Sequence, residues 1–159
     1  MSSFFQRLNA VNAPSIGLGC MNLSHGYGSI VPESAAIRAL DEAFEMGYRH
    51  FDTATLYGGT ANESVVGRAL ESKRRQLFLA SKCGMAIDPE SGKRVIDGSP
   101  ATLRKQCEAS LARLRTDHLD LYYLHRLDRQ VPIEESVGAL GRLVEEGKIG
   151  GVGLSEVSA

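Results

Sequence analysis

With 159 residues the chain has about the length of one domain and can bury roughly two-thirds of its extended surface. Its 43% hydrophobic and 23% charged residues are the proportions of an ordinary soluble globular protein. A formal net charge of -1, with no long basic or acidic run, gives no electrostatic reason to expect nucleic acid or an anionic membrane as partner. The three cysteines, Cys20, Cys83 and Cys107, form neither a CxxC pair nor an even set, and none of the four histidines has a usual zinc-ligand spacing. No metal site is expected, and isolated thiols point to a reducing, cytoplasmic setting. The opening stretch has one basic residue, Arg7, and no sustained apolar run, so it does not read as a secretory signal. Nothing approaches a membrane span.

In chain order, the first apolar run, Ser15–Met21, reads as a strand. Pro32 then opens a helical stripe of Ile37, Leu40 and Phe44, which ends near Gly47. A second strand, His50–Ala54, precedes a shorter stripe of Val65, Val66, Ala69 and Leu70, and a third strand follows at Leu77–Lys82. The polar segment Asp88–Gly98, with Pro89, Gly92 and Gly98, reads as a longer loop at the mouth of a site. Ser99-Pro100 is an N-cap with a first-turn proline, and Leu103, Cys107, Leu111 and Leu114 share the face of the helix it starts. Leu119–His125 is the fourth strand. Pro132 and Gly147 bracket a helix on Val137, Leu140 and Val144, and Ile149–Ser155 is the fifth strand. The strand runs are apolar without alternation, as suits strands buried on both faces.

Strand–helix alternation makes this an α/β chain with a parallel sheet, either open and doubly wound or rolled into a barrel. A dinucleotide-binding open sheet calls for G-x-G-x-x-G leading into a helix. Here Gly17-Leu-Gly19-Cys-Met-Asn22 lacks the third glycine, and turn-like residues from His25 to Ser29 follow it. The polar groups favour a barrel. Asp52 lies near the end of one apolar run, Lys82 ends the next, His125 the next and Ser155 the last, and barrel enzymes carry their chemistry at the C-terminal ends of different strands. Each residue alone has a structural reading: Asp52 and Lys82 as a rim ion pair, Tyr57 before Gly58-Gly59 as a turn anchor, His125 as a hydrogen-bonded half-buried imidazole.

Four stretches together, GYRHFDTATLYGGTANESVVGRAL (Gly47 to Leu70), SKCG (Ser81–Gly84), DLYYLHRLD (Asp120 to Asp128) and IGGVGLSE, resemble the aldo-keto reductase family in order and approximate spacing. The resemblance runs from about Ile16 to the end. It implies an incomplete (β/α)8 TIM-barrel fold of about five βα units occupying 1–159 without a second domain, since a full barrel takes about 250 residues. It also implies an oxidoreductase that reduces aldehydes and ketones, small-molecule carbonyl substrates, with hydride from NADP(H). The residues that match the family's catalytic positions are Asp52, Tyr57, Lys82 and His125. Those at its cofactor side are Met21, Asp52 and Ser155, with Glu156 where many relatives have Asn. The physics fits those roles. A free phenol has a pKa of about 10, and a neighbouring ammonium stabilises the phenolate left when it gives up its proton. A carboxylate offsets the desolvation of that ammonium, and an imidazole orients the substrate oxygen. His25, His50 and His118 match no catalytic position, and Cys83 beside Lys82 reads as a packing residue. A chain that stops after a fifth strand leaves sheet edges open to self-association. It also leaves the alternative of a truncated, inactive remnant or binding domain without most of the cofactor pocket.

Overall fold

The computed structural model describes residues 4–11, 16–24, 31–88 and 90–157. Ser15, the His25–Ser29 stretch and Pro89 lie outside the described residues. In chain order the elements are α1 (Phe4–Ala10), β1 (Leu18–Gly19), α2 (Glu33–Glu45), β2 (His50–Asp52), α3 (Ala61–Leu70), β3 (Phe78–Cys83), β4 (Met85–Ile87), β5 (Arg94–Ile96), α4 (Pro100–Leu114), β6 (Leu121–Leu124), α5 (Ile133–Glu145) and β7 (Val152–Leu154). None of the helices is long and apolar enough to cross a membrane among the described residues.

The main sheet has the order β1-β2-β3-β6-β7, with every pair parallel. Each strand is laid beside the one before it in the sheet, and the strand order never reverses. A doubly wound sheet needs such a reversal, and a barrel wall does not. Consistently, each long helix packs on the next, α2 on α3, α3 on α4 and α4 on α5.

The two faces of the sheet are both apolar, which is why the strand sequences do not alternate. Phe51, Leu79, Tyr122 and Leu124 face the helices and join Leu40, Phe44, Val66, Leu103, Leu140 and Leu143 in the larger core. Phe78, Ala80 and Leu121 face the other way and form a smaller cluster with Val11, against which Tyr123 packs. Side chains along a strand point to opposite faces in turn, so Lys82 shares the inner face with Phe78 and Ala80. Gly17 serves this inner face: a Cβ there would sit 2.8 Å from the His50 ring, which itself packs edge-on against Phe78 at 5.0 Å.

The helix boundaries follow the expected chemistry. Ser99 caps α4 by accepting from the Thr102 amide at 3.4 Å, with Pro100 in the first turn. Gly47 (φ 102°) and Gly147 (φ 74°) take the left-handed conformation just past α2 and α5. Three features differ from the sequence reading. The segment Asp88–Gly98 is not only loop: Arg94–Ile96 pairs antiparallel with Met85–Ile87 as a hairpin. On α5 the buried face is Ser136, Ala139, Leu140 and Leu143, while Val137 is exposed. Ser136 turns inward because its hydroxyl donates to the Gly98 carbonyl at 2.7 Å, a polar contact that hydrophobic spacing does not register. Third, α1 was not anticipated. Its Arg7 donates to the Asp120 carboxylate at 2.8 Å and to the Leu77 carbonyl at 3.1 Å.

Helices α3 and α4 meet at Gly67, where a Cβ would lie 2.3 Å from the Arg113 carbonyl oxygen and 2.8 Å from Leu114 Cα. Both are backbone atoms that cannot swing aside. Gly67→Ala is therefore expected to lower the unfolding free energy by about 1–3 kcal/mol through overpacking. Urea denaturation measures this, and a variant as stable as the parent would show that the helices tolerate a side chain there.

Candidate active site

The C-terminal ends of the parallel strands lie at one rim, and the ladder holds the residues just beyond them in register. The amide of Cys20 donates to the Asp52 carbonyl at 2.8 Å, that of His125 to Cys83 at 2.9 Å, and that of Ser155 to Leu124 at 3.1 Å. The loop after β2 stays tied to β3 as well, with Thr53 N on Ala80 O at 3.0 Å and Thr55 N on Lys82 O at 3.1 Å. Tyr57 then begins a tight 3-10 turn, Tyr57–Thr60. Gly58 (φ 57°) and Gly59 (φ 60°) are left-handed here, and a Cβ on Gly58 would be 2.9 Å from the Ser24 carbonyl. The glycine pair lets the chain turn at once into α3 while Tyr57 stays at the rim.

The side chains converge. The Lys82 ammonium forms an ion pair with Asp52, donates to the Thr53 carbonyl at 2.8 Å and lies 5.2 Å from the centre of the Tyr57 ring. A nearly buried ammonium needs such partners, since its desolvation is otherwise uncompensated. The Tyr57 and His125 rings meet edge to face, with centroids 5.8 Å apart at 84°. Tyr57, Lys82 and His125 wall a cleft of about 520 Å³ together with Met21, Leu56, Met85, Arg94, Arg126, Ser155 and Glu156. Five of the six residues singled out in the sequence thus border one cavity. The sixth, Asp52, is not on its wall and reaches it through Lys82.

His125 is buried, and its Nδ1 has no hydrogen-bond partner among the described residues. Burial, then the positive charges of Lys82 and Arg126, pull its pKa from 6.5 down to about 4. Glu156 forms an ion pair with Arg126 across the rim and takes a left-handed backbone (φ 52°). Cys83 is fully buried, donates to the Tyr123 carbonyl at 3.3 Å, and has its thiol pKa pushed up by burial. It is a packing residue, not a nucleophile. Among the described residues no group of three or more His, Cys, Asp or Glu side chains is placed to hold a metal ion.

The family model that describes the aldo/keto reductase family matches residues 15–159. The chain belongs to the aldo/keto reductase family. A curated relative, "Probable aldo-keto reductase 1" of Glycine max, is 45% identical over 144 residues, which is 90% of this chain and 41% of that protein. Among solved structures, an aldo-keto reductase from Bacillus halodurans in its holo form superposes with a TM-score of 0.78 at 37% identity, covering 87% of this chain and 45% of the other. A glycerol dehydrogenase from Gluconobacter oxydans gives 0.79 at 35%, covering 89% and 44%. An aldo/keto reductase from Klebsiella pneumoniae, in complex with NADP and acetate, gives 0.74 at 34%, covering 92% and 47%. The chain therefore spans about half the length of the relatives it matches. Its five parallel strands and their helices form an incomplete aldo/keto reductase barrel of the (β/α)8 type.

Sequence reasoning missed the residues that hold the aldo/keto reductase loop carrying Tyr57. Asn62 is fully buried and donates to the Cys20 carbonyl at 2.8 Å and the Ser24 hydroxyl at 2.6 Å, while accepting from Thr53 at 2.6 Å. Glu63, also fully buried, accepts from Ser81 at 2.6 Å and from Arg113 Nε at 2.7 Å. The signal was available: both precede the stripe of Val65, Val66 and Ala69 at helical spacing, so helical periodicity puts them on the buried face.

A His held near 4 in the folded protein but near 6.5 when unfolded carries a definite sign. Between those values the unfolded chain binds the extra proton, so the associated stability is complete above about pH 6.5 and falls as the pH drops toward 4. His125→Gln should flatten part of the loss of unfolding free energy between about pH 7.5 and about pH 5. Urea titrations at the two pH values test this, and an unchanged slope would mean that His125 titrates normally.

Proposed function

We propose that this site reduces the carbonyl group of an aldehyde or ketone to an alcohol, with Tyr57 as general acid and NADPH as hydride source. The observation that carries the reading is the single cleft bordered by Tyr57, Lys82 and His125, with Asp52 bound to Lys82 behind it. NADPH, when bound, supplies the hydride; the chain's own residues handle the proton. Tyr57 O–H donates to the carbonyl oxygen as charge builds on it. Lys82, its position fixed by Asp52 and the Thr53 carbonyl, stabilises the resulting phenolate.

His125 is neutral at pH 7 and orients the same oxygen. A buried N–H without a partner is rarer and costlier than a bare acceptor lone pair. The unpartnered Nδ1 therefore keeps its lone pair, and the proton sits on Nε2, where it serves as a hydrogen-bond donor. Met21 and Ser155, on the same wall, are the residues assigned to the nicotinamide end of NADP(H), and a cleft of about 520 Å³ is of the size that takes a ring of that kind beside a small carbonyl compound. The presence of NADP in the Klebsiella structure supports this choice of cofactor.

A second reading draws on the chain's coverage of about half of its relatives. It gives this segment the acid–base groups but no dinucleotide binding and no turnover. The two readings part on one assay. Carbonyl-dependent oxidation of NADPH should be seen, and Tyr57→Phe should lower it about a thousandfold, within the range for loss of a general acid. A Tyr57→Phe rate equal to the parent's would remove Tyr57 from the chemistry, and absence of any saturable NADPH fluorescence change would favour the second reading.

A further inference from the structure

The Lys82 ammonium is bound to Asp52 and to the Thr53 carbonyl, and it lies 5.2 Å from the centre of the Tyr57 ring. A second ring approaches it from the inner face of the sheet, where the centre of Tyr123 is 5.9 Å away. Tyr123 stands opposite Lys82 in the β3–β6 ladder, so the two side chains leave the sheet side by side on one face. Tyr123 is half-buried and stands outside the cleft wall. What it contributes to the chemistry of the cleft, it contributes through Lys82.

The sheet is shaped to admit this ring. On the next strand Gly153 lies opposite Tyr123, and a Cβ there would sit 2.3 Å from Tyr123 Cδ1 and 2.4 Å from Cε1. Tyr123 also packs against the small apolar cluster of Val11, Phe78, Ala80 and Leu121. A leucine would serve that packing as well. What the aromatic ring adds is its negative face, which attracts an ammonium. Burial, and after it the Asp52 carboxylate, push the Tyr123 phenol up, with Lys82 opposing them. The phenol therefore stays protonated at neutral pH, and Tyr123 can hold Lys82 without becoming a second anion beside it.

We propose that Tyr123 is a positioning residue for Lys82: its ring, laid against Gly153, keeps the ammonium beside Tyr57. The role rests on the reductase reading of the cleft, but the contact is measured apart from turnover. The probe is acetic anhydride in trace amount, with the acetylation of each lysine in the whole folded chain read by mass spectrometry. Exposed Lys105 is the internal standard, and Lys73, paired with Asp41 outside the cleft, reports general loosening. Tyr123→Leu should speed acetylation of Lys82 about fivefold relative to Lys105, the size expected for loss of one ammonium–ring attraction. Tyr123→Phe, which keeps the ring, should react as the parent does, and Lys73 should be unchanged in both. If the leucine chain does not fold, Tyr123→Met takes its place. In the carbonyl-reduction assay, Tyr123→Leu should lower kcat about fivefold at the parent's KM.

Lys82 reacting alike in the leucine, phenylalanine and parent chains would overturn the proposal. Equal acceleration in both variants would do the same, by assigning the effect to the hydroxyl instead of the ring. A parallel rise at Lys73, or an unchanged kcat in Tyr123→Leu, would leave Tyr123 a packing residue only. A parent that oxidises no NADPH would defeat the reductase reading alone, and the labelling would still decide whether Tyr123 holds Lys82.

Discussion

The parallel register is the constraint on which the site depends. Gly19 lies opposite Asp52, Asp52 opposite Ala80, Lys82 opposite Tyr123, and Tyr123 opposite Gly153. Successive residues of a strand point to opposite faces, so a slip of one position would turn Lys82 out among the helices and bring Ser81 or Cys83 inward. The register is fixed by burial on the helix side: Phe51, Leu79, Tyr122 and Leu124 can only be where the helices cover them. Which side chains reach the rim is therefore specified by packing on the opposite face of the sheet. The glycine at position 153 belongs to the same constraint, since a Cβ there would lie 2.3 Å from the Tyr123 ring, whose centre is 5.9 Å from the Lys82 ammonium.

A second layer of support is polar. Glu63 is wholly buried, and its charge is met by Arg113 from α4, by Ser81 from β3 and by Ser110, which also bonds Thr55 at 3.0 Å in the loop before Tyr57. Removing one member would leave a buried charge without its counter-charge, a far larger penalty than the net worth of the intact set. Asn62 performs the companion task, tying the same loop to the end of β1. These bonds tie down the loop that leads to Tyr57, and the left-handed pair Gly58-Gly59 makes the tight turn possible.

The strands, the helices and the strand-end positions of Lys82, His125 and Ser155 were legible because each leaves a one-dimensional trace: an apolar run, a 3.6-residue stripe or a polar residue closing a strand. Tyr57 and Met21 were picked out instead by the resemblance to the aldo-keto reductases. What stayed hidden lacks such a trace. The β4–β5 hairpin is largely exposed, with Arg94, Val95 and Ile96 all accessible, so no burial pattern marks it. The face of α5 was misjudged at Val137 because a serine, Ser136, takes the inner position for a long-range hydrogen bond. Asn62 and Glu63 escaped notice for a related reason: a polar residue on a buried face reads as an exception until its partners, some from distant segments, are known. The Arg7–Asp120 pair joins residues 113 apart, beyond the reach of any local pattern.

That last contact bears on how the chain assembles. Asp120 is almost fully buried and receives three donors: Arg7 from α1, Arg74 at 2.8 Å and the Leu79 amide at 2.8 Å. Two of these lie in or near β3, but the third comes from α1. During synthesis α1 emerges more than a hundred residues before its acceptor, and closing so long a segment is entropically slow compared with pairing neighbouring βα units. On entropic grounds α1 therefore closes over the inner face more slowly than β3 and β6 pair, like a latch.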